Sequence, residues 1–118
     1  SFEKLYSPKG IDDLEMDGFW ETIQYQNGHR LFHKLIHYIE DRRQNRERWV
    51  GVLQQTSVPL RLINGPEDPV SGRHLADYYQ QMIPNPDVVI INGAGHYPQN
   101  EAPEEVVKHY FEFRQKQH

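Results

Sequence analysis

Two hexapeptides hold the residue types that could do chemistry. Gly65-Pro66-Glu67-Asp68-Pro69-Val70 follows a hydrophobic run with strand character, and so does Gly93-Ala94-Gly95-His96-Tyr97-Pro98. A carboxylate just past one strand and an imidazole just past the next form the acid–base half of a catalytic triad. A carboxylate bonded to one imidazole nitrogen fixes the tautomer. It also stabilises the imidazolium that forms when the other nitrogen takes a proton. The spacing gives that role to Asp68, and makes His96 the base that activates a nucleophile or a hydrolytic water. Either loop alone says little, since Asp and Pro are ordinary turn residues. Their order, each after a strand, points to a pair. No nucleophile accompanies them.

The elements around these loops must bring them together. In an open parallel sheet, functional loops gather at the carboxyl ends of the strands. The 28 residues from Asp68 to His96 are what one helix plus one strand consumes. Neighbouring parallel strands lie roughly 4.8 Å apart, so side chains on the two loops can meet. Gly93 and Gly95 let the second loop turn sharply, and Pro69 stiffens the first. A strand is predicted over 58–63, with Pro59 near its start, and another over 87–91. The β-branched run of the second is that of a strand buried on both faces. Between them a helix over 72–83 carries Leu75, Tyr78, Tyr79, Met82 and Ile83 on one face. A last helix over 102–115 has Pro103 in its first turn. Strand–helix–strand–helix implies parallel strands joined by a right-handed crossover. Two strands alone do not make a stable parallel sheet with both faces covered. More strands are therefore expected from the rest of the same protein.

The first half reads as helices over about 11–26, 29–43 and 45–55. Asn27-Gly28 suits the left-handed end of the first. Leu31, Phe32, Leu35, Ile36, Tyr38 and Ile39 form the apolar stripe of the second, and Trp49, Val52 and Leu53 that of the third. His29, His33 and His37 are spaced along one helix face, but a zinc site needs further ligands, and no metal is expected. Phe19, Trp20, Phe32 and Trp49 read as packing. Arg42, Arg43, Arg46 and Arg48 are interleaved with Asp41 and Glu47, which suits a solvated helix face. A net charge of −4 gives no reason to expect nucleic acid as a partner. The longest apolar run, 88–91, is far too short to span a bilayer. The absence of cysteine fits a reducing compartment, and a cytoplasmic location is the expectation. The chain opens Ser1-Phe2-Glu3-Lys4, without methionine or signal-peptide character. Together with the missing nucleophile, this leads to the expectation that an N-terminal part of the protein lies outside it.

The stretch 58–105 resembles the C-terminal end of the α/β-hydrolase superfamily, whose triad order is nucleophile, acid, histidine. The Gly-x-x-Asp-Pro and Gly-x-Gly-His-x-Pro patterns match at Gly65, Asp68, Pro69, Gly93, Gly95, His96 and Pro98. That pattern puts the acid immediately before Pro69, at Asp68 and not at Glu67. Tyr38-Ile39-Glu40-Asp41-Arg42-Arg43, Arg48-Trp49-Val50-Gly51-Val52-Leu53 and the Gly65–Val70 loop look like the mesoderm-specific transcript proteins. These form a branch near the epoxide hydrolases and haloalkane dehalogenases. The likeness covers roughly residues 12–115.

The resemblance implies an α/β fold class. The chain would be the C-terminal portion of an α/β-hydrolase fold, its last two parallel strands with flanking helices, preceded by helices of the cap. Residues 1–45 would be the C-terminal part of the cap, and 46–118 that of the core. Cap tyrosines of epoxide hydrolases donate hydrogen bonds to the epoxide oxygen. Tyr38 is the candidate substrate-binding residue, Tyr25 a weaker one, and packing of the cap is the competing reading of Tyr38. The implied activity is hydrolysis of a small, largely apolar substrate, of the epoxide hydrolase or dehalogenase kind. An Asp nucleophile outside this chain would form an ester that water activated by His96 cleaves. A Ser-type carboxylesterase, or a catalytically inactive hydrolase-like binding or scaffold protein, stays open as an alternative. No cofactor is implied. The partners are a small-molecule substrate and the remaining N-terminal part of the same hydrolase, and the 118-residue portion alone is expected to be inactive.

Overall fold

Of the strand predicted over 58–63, only Leu62–Asn64 pairs, as β1, in the computed structural model, which describes residues 2–117. Pro59 has no N–H to offer a ladder, and Val58 beside it is exposed. β1 lies parallel to β2, Val88–Ile90, in the register Leu62↔Val88, Ile63↔Val89, Asn64↔Ile90. The pairing continues past both ends. Leu62 N donates to the Asp87 carbonyl at 2.9 Å, and Ile91 N to the Asn64 carbonyl at 3.0 Å. Both strands therefore deliver the chain to the same edge. The β-branched run of β2 predicts burial on both faces, yet its residues are half-buried. The described sheet has only these two strands, so its faces are incompletely covered. Ile91, one residue beyond β2, is fully buried.

The crossover between the strands contains α5, Arg73–Met82, which packs on β1 and buries Ala76 completely. It matches the helix predicted over 72–83. Ile83 then turns extended, ahead of Pro84. After β2 come a one-turn helix, α6 (Pro98–Glu101), and α7 (Pro103–Gln115), which pack together. Pro103 is at the start of α7, where its missing N–H costs nothing. The brief α6 is too short to leave a periodic signal in the sequence.

Arg61 fastens the amino ends of the strands to α7. Its Nε and Nη2 both lie 2.9 Å from Asp87 Oδ2, and Nη1 donates to the His109 carbonyl at 2.8 Å. The guanidinium also stands 5.5 Å from the Phe113 ring centroid.

The described chain divides into two compact units. One takes the segment up to Gly10 together with everything from Thr56 onward, and the other is Ile11–Gln55. Along the chain the divisions fall after Gly10 and after Gln55. The second unit is helical. It has α1 (Asp13–Gln24), α2 (Phe32–Leu35), α3 (Tyr38–Gln44) and α4 (Arg46–Gln55). Asp12 caps α1 by accepting from Glu15 N at 2.8 Å. A 3₁₀ stretch, Tyr25–Leu31, follows, with Gln26 and Asn27 left-handed at φ 49 and 61. The continuous helix predicted over 29–43 is interrupted at Ile36 and His37. The stripe from Leu31 to Ile39 is exposed, and no described residue of this unit is fully buried. A helical face becomes a core only against another layer. No described helix of the chain is long and apolar enough to cross a membrane.

Candidate active site

β1 runs directly into the acid loop. Asp68 N donates to the Gly65 carbonyl at 3.3 Å, which closes a turn and points the carboxylate back toward the sheet edge. Only 6% of Asp68 is exposed. Its carboxylate is nevertheless well supplied with donors. Oδ1 accepts from Val70 N at 2.8 Å, and Oδ2 accepts from Ser71 N at 3.0 Å and Ser71 Oγ at 2.5 Å. His96 Nδ1 lies 2.7 Å from the same Oδ2. Burial pushes the Asp68 carboxyl up. The hydrogen bonds from Ser71, Val70 and His96 outweigh that push and hold it below the ordinary carboxylate value.

The histidine loop reaches the acid loop through backbone contacts. Gly93 turns it with a φ of 79, and Ala94 N donates to the Ile91 carbonyl at 3.2 Å. Glu67 N then donates to the Ala94 carbonyl at 3.0 Å, joining the two loops. Gly65 lies so close to Ala94 and Gly95 that any side chain on it would strike their carbonyl oxygens. Gly95 is needed for space and not for a left-handed turn. A Cβ there would stand 2.5 Å from Ser7 N and 2.7 Å from the Leu5 carbonyl oxygen. His96 N donates to that Leu5 carbonyl at 2.8 Å.

These contacts fix the imidazole. An ionised carboxylate can only accept, so Nδ1 carries the proton and donates it to Asp68, leaving the Nε2 lone pair available as a base. The Tyr97 ring meets the imidazole in a T-shaped contact at 4.8 Å and 80°. Burial, and secondarily the charge of Asp68, pushes the Tyr97 hydroxyl up. The His96 side chain keeps 32% of its surface exposed. It borders a cavity of about 240 Å³ shared with Ile63, Asn64, Ser71, Leu75 and Gln99. A base with a free nitrogen, an orienting carboxylate and adjoining space is the equipment for activating a water or a hydroxyl.

Asp68 and His96 are thus brought together as the spacing predicts. Tyr38 belongs to the helical unit, in α3, where it is 53% exposed and its ring lies 5.9 Å from the Arg42 guanidinium carbon. Tyr25 is also exposed in that unit. His29, His33 and His37 do not line one continuous helix, because they fall in the 3₁₀ stretch, in α2 and at the start of α3. No group of three or more potential metal-binding side chains is assembled among the described residues.

Sequence reasoning missed two parts of this site. Ser71 supplies two of the donors to Asp68. Its spacing three residues after an aspartate is a turn signal that could have revealed it. Leu5 and Ser7 touch the histidine loop from across the chain, and no local pattern announces such a contact.

Known proteins resemble this chain over most of its length. It is 34% identical over 103 residues to a protein of Mycobacterium tuberculosis named "Putative hydrolase LipZ", covering 86% of this chain and 36% of that protein. It is 33% identical over 103 residues to the mesoderm-specific transcript protein of Mus musculus and to its Homo sapiens homologue, covering 31% of each. The chain thus spans about a third of the length of the curated relatives it matches. No family model matches the chain, and no solved structure matches it significantly. The similarity supports a hydrolase-like relationship, and two parallel strands with flanking helices are compatible with part of an α/β fold.

Proposed function

We propose that this chain supplies the acid–base pair of an α/β-hydrolase acting on a small, largely apolar substrate, with His96 the general base and Asp68 its orienting acid. The observation that carries the reading is the 2.7 Å contact between Asp68 Oδ2 and His96 Nδ1, made from two loops at the same edge of a parallel sheet. In this reading the nucleophile comes from the part of the protein that this chain does not span. The helical unit belongs to a cap, and Tyr38 donates a hydrogen bond to the substrate oxygen on which charge develops.

The favoured chemistry is of the epoxide hydrolase or dehalogenase kind. An aspartate oxygen attacks the substrate carbon, breaks its bond to the leaving oxygen or halide, and forms an ester to the protein. Water then attacks the ester carbonyl while His96 Nε2 takes its proton. The tetrahedral adduct collapses, the alcohol leaves with a proton returned by the imidazolium, and the nucleophile's carboxyl releases the second proton of the water to solvent to become a carboxylate again. Asp68 stays ionised throughout and stabilises the imidazolium. With a serine nucleophile the same pair would serve both formation and hydrolysis of an acyl-enzyme.

The test is His96→Ala in the intact protein, incubated with a small epoxide and a small ester and weighed by mass spectrometry. An aspartate nucleophile needs no base for the first step, so the protein gains the mass of the epoxide and keeps it. With a serine nucleophile neither reagent adds, and the variant only loses ester turnover. Turnover equal to the wild type removes His96 from the mechanism.

A further inference from the structure

We infer that Glu101 is the positioning residue for His96, acting on the backbone of the histidine loop and not on the ring. The inference rests on the proposed role of His96 as the base. Glu101 ends the four-residue helix α6, so its side chain folds back over the loop it has just left. Oε1 accepts from Gly95 N at 2.9 Å, and Oε2 accepts from Ser7 N at 2.9 Å. One carboxylate thus joins the residue before His96 to a segment 94 residues away in sequence.

That segment is itself built into the site. Leu5 accepts from His96 N, and Tyr6 and Ser7 are both buried. The Tyr6 ring lies 5.3 Å from that of Tyr97, which also meets the imidazole. The histidine loop is therefore held on two sides, by the Gly65–Glu67 turn and by Leu5–Ser7, and Glu101 closes the second side. Gly95 and Ser7 are buried, so without the carboxylate their N–H groups would lack partners. Ionised acceptors make such bonds shorter and stronger than neutral ones. A base is useful only when held to within a fraction of an ångström of its target. Glu101 does this at a distance, through Gly95, and touches neither Asp68 nor the imidazole in any hydrogen bond given by the structure.

The experiment compares Glu101→Ala and Glu101→Gln with the wild type in the intact protein. Glutamine keeps the shape and one acceptor, and so guards against loss of folding in the alanine variant. The first readout is the NMR spectrum of the His96 ring, including its Nδ1–H resonance. The second is the pH–rate profile with kcat and KM separated. Glu101→Ala is expected to displace or broaden the Nδ1–H resonance and to lower kcat about tenfold while KM changes less than about twofold. Glu101→Gln is expected to fall between it and the wild type. Displaced His96 resonances support the assignment even where the wild type hydrolyses nothing, an outcome that would sink only the hydrolase reading. Unaltered His96 resonances in both folded variants overturn the assignment, even where hydrolysis is measured.

Discussion

Gly65 and Gly95 meet backbone to backbone, so a side chain on Gly65 would run into the Gly95 carbonyl oxygen. This approach lets the loop after β1 and the loop after β2 share a hydrogen bond, Glu67 N to the Ala94 carbonyl at 3.0 Å. Gly65→Ala therefore has to push the two loops apart. The clash is with main chain, which cannot swing aside, and the expected loss is at least about 2 kcal/mol. Chemical denaturation of the variant measures it. A stability equal to the wild type would show that the loops part freely.

Asp68→Asn replaces the acceptor that fixes the imidazole tautomer. The amide can present its NH₂ to His96 Nδ1, which moves the ring proton to Nε2 and occupies the base. Turnover by the intact protein is expected to fall by about 10³ to 10⁴ at neutral pH, with little change in KM. Steady-state kinetics at pH 7 check it. A loss below about tenfold would mean that Asp68 does not orient the base.

Ser71→Ala tests the electrostatics of the same carboxylate. The hydroxyl is one of the donors that hold Asp68 below its ordinary value against its burial. In a folded chain with a depressed carboxyl pKa, the stabilisation is complete above the unfolded value. It is lost as the pH falls through the folded value, because the unfolded chain takes up the proton first. For Asp68 that window opens near pH 4 and extends downward. Removing the hydroxyl raises the folded value toward the unfolded one, so the window narrows from its lower edge and the variant loses less stability on acidification. The removal also costs about 1 kcal/mol at neutral pH. Urea unfolding between pH 2 and 7 reads both effects. The two profiles are expected to converge below pH 4, and profiles that stay parallel from pH 7 to pH 2 would refute the assignment of the hydroxyl as a donor to an ionised Asp68.

Arg61 lies at the opposite ends of the strands and should report on stability alone. Its side chain is 7% exposed, and its removal leaves the Asp87 carboxylate and the His109 carbonyl without this partner. Arg61→Ala is expected to cost about 3 kcal/mol. Activity per folded molecule of the intact protein is expected to stay within about twofold of the wild type. Denaturation combined with active-site kinetics separates the two. A collapse of kcat in fully folded protein would place Arg61 in the catalytic machinery.

The site was legible because its chemistry sits in two short loops whose strands are coded locally. The β-branched run before His96 and the apolar run before Asp68 announce strands, and parallel strands joined by one helix must deliver their loops to one edge. Pro103 and Pro84 likewise mark the start of α7 and the region just past α5. The errors came where local pattern competes with missing tertiary context. The segment 29–43 has helical periodicity throughout, but Ile36 and His37 interrupt it, and no layer in its unit covers its apolar stripe. β2 has the composition of a buried strand and is only half-buried, because two strands do not give the sheet closed faces. The contact of Leu5 and Ser7 with the histidine loop is set by topology, and such pairings leave no trace in periodicity. Ser71 was within reach of a closer reading of the aspartate turn.

The most direct measurement is the turnover of a small aryl ester and a small terminal epoxide by the intact protein, with His96→Ala beside it. Hydrolysis of at least one of them by the wild type, falling by about 10³ or more in the variant, is the predicted result. Hydrolysis that survives unchanged without the imidazole, or a wild type that consumes neither compound, would contradict the account.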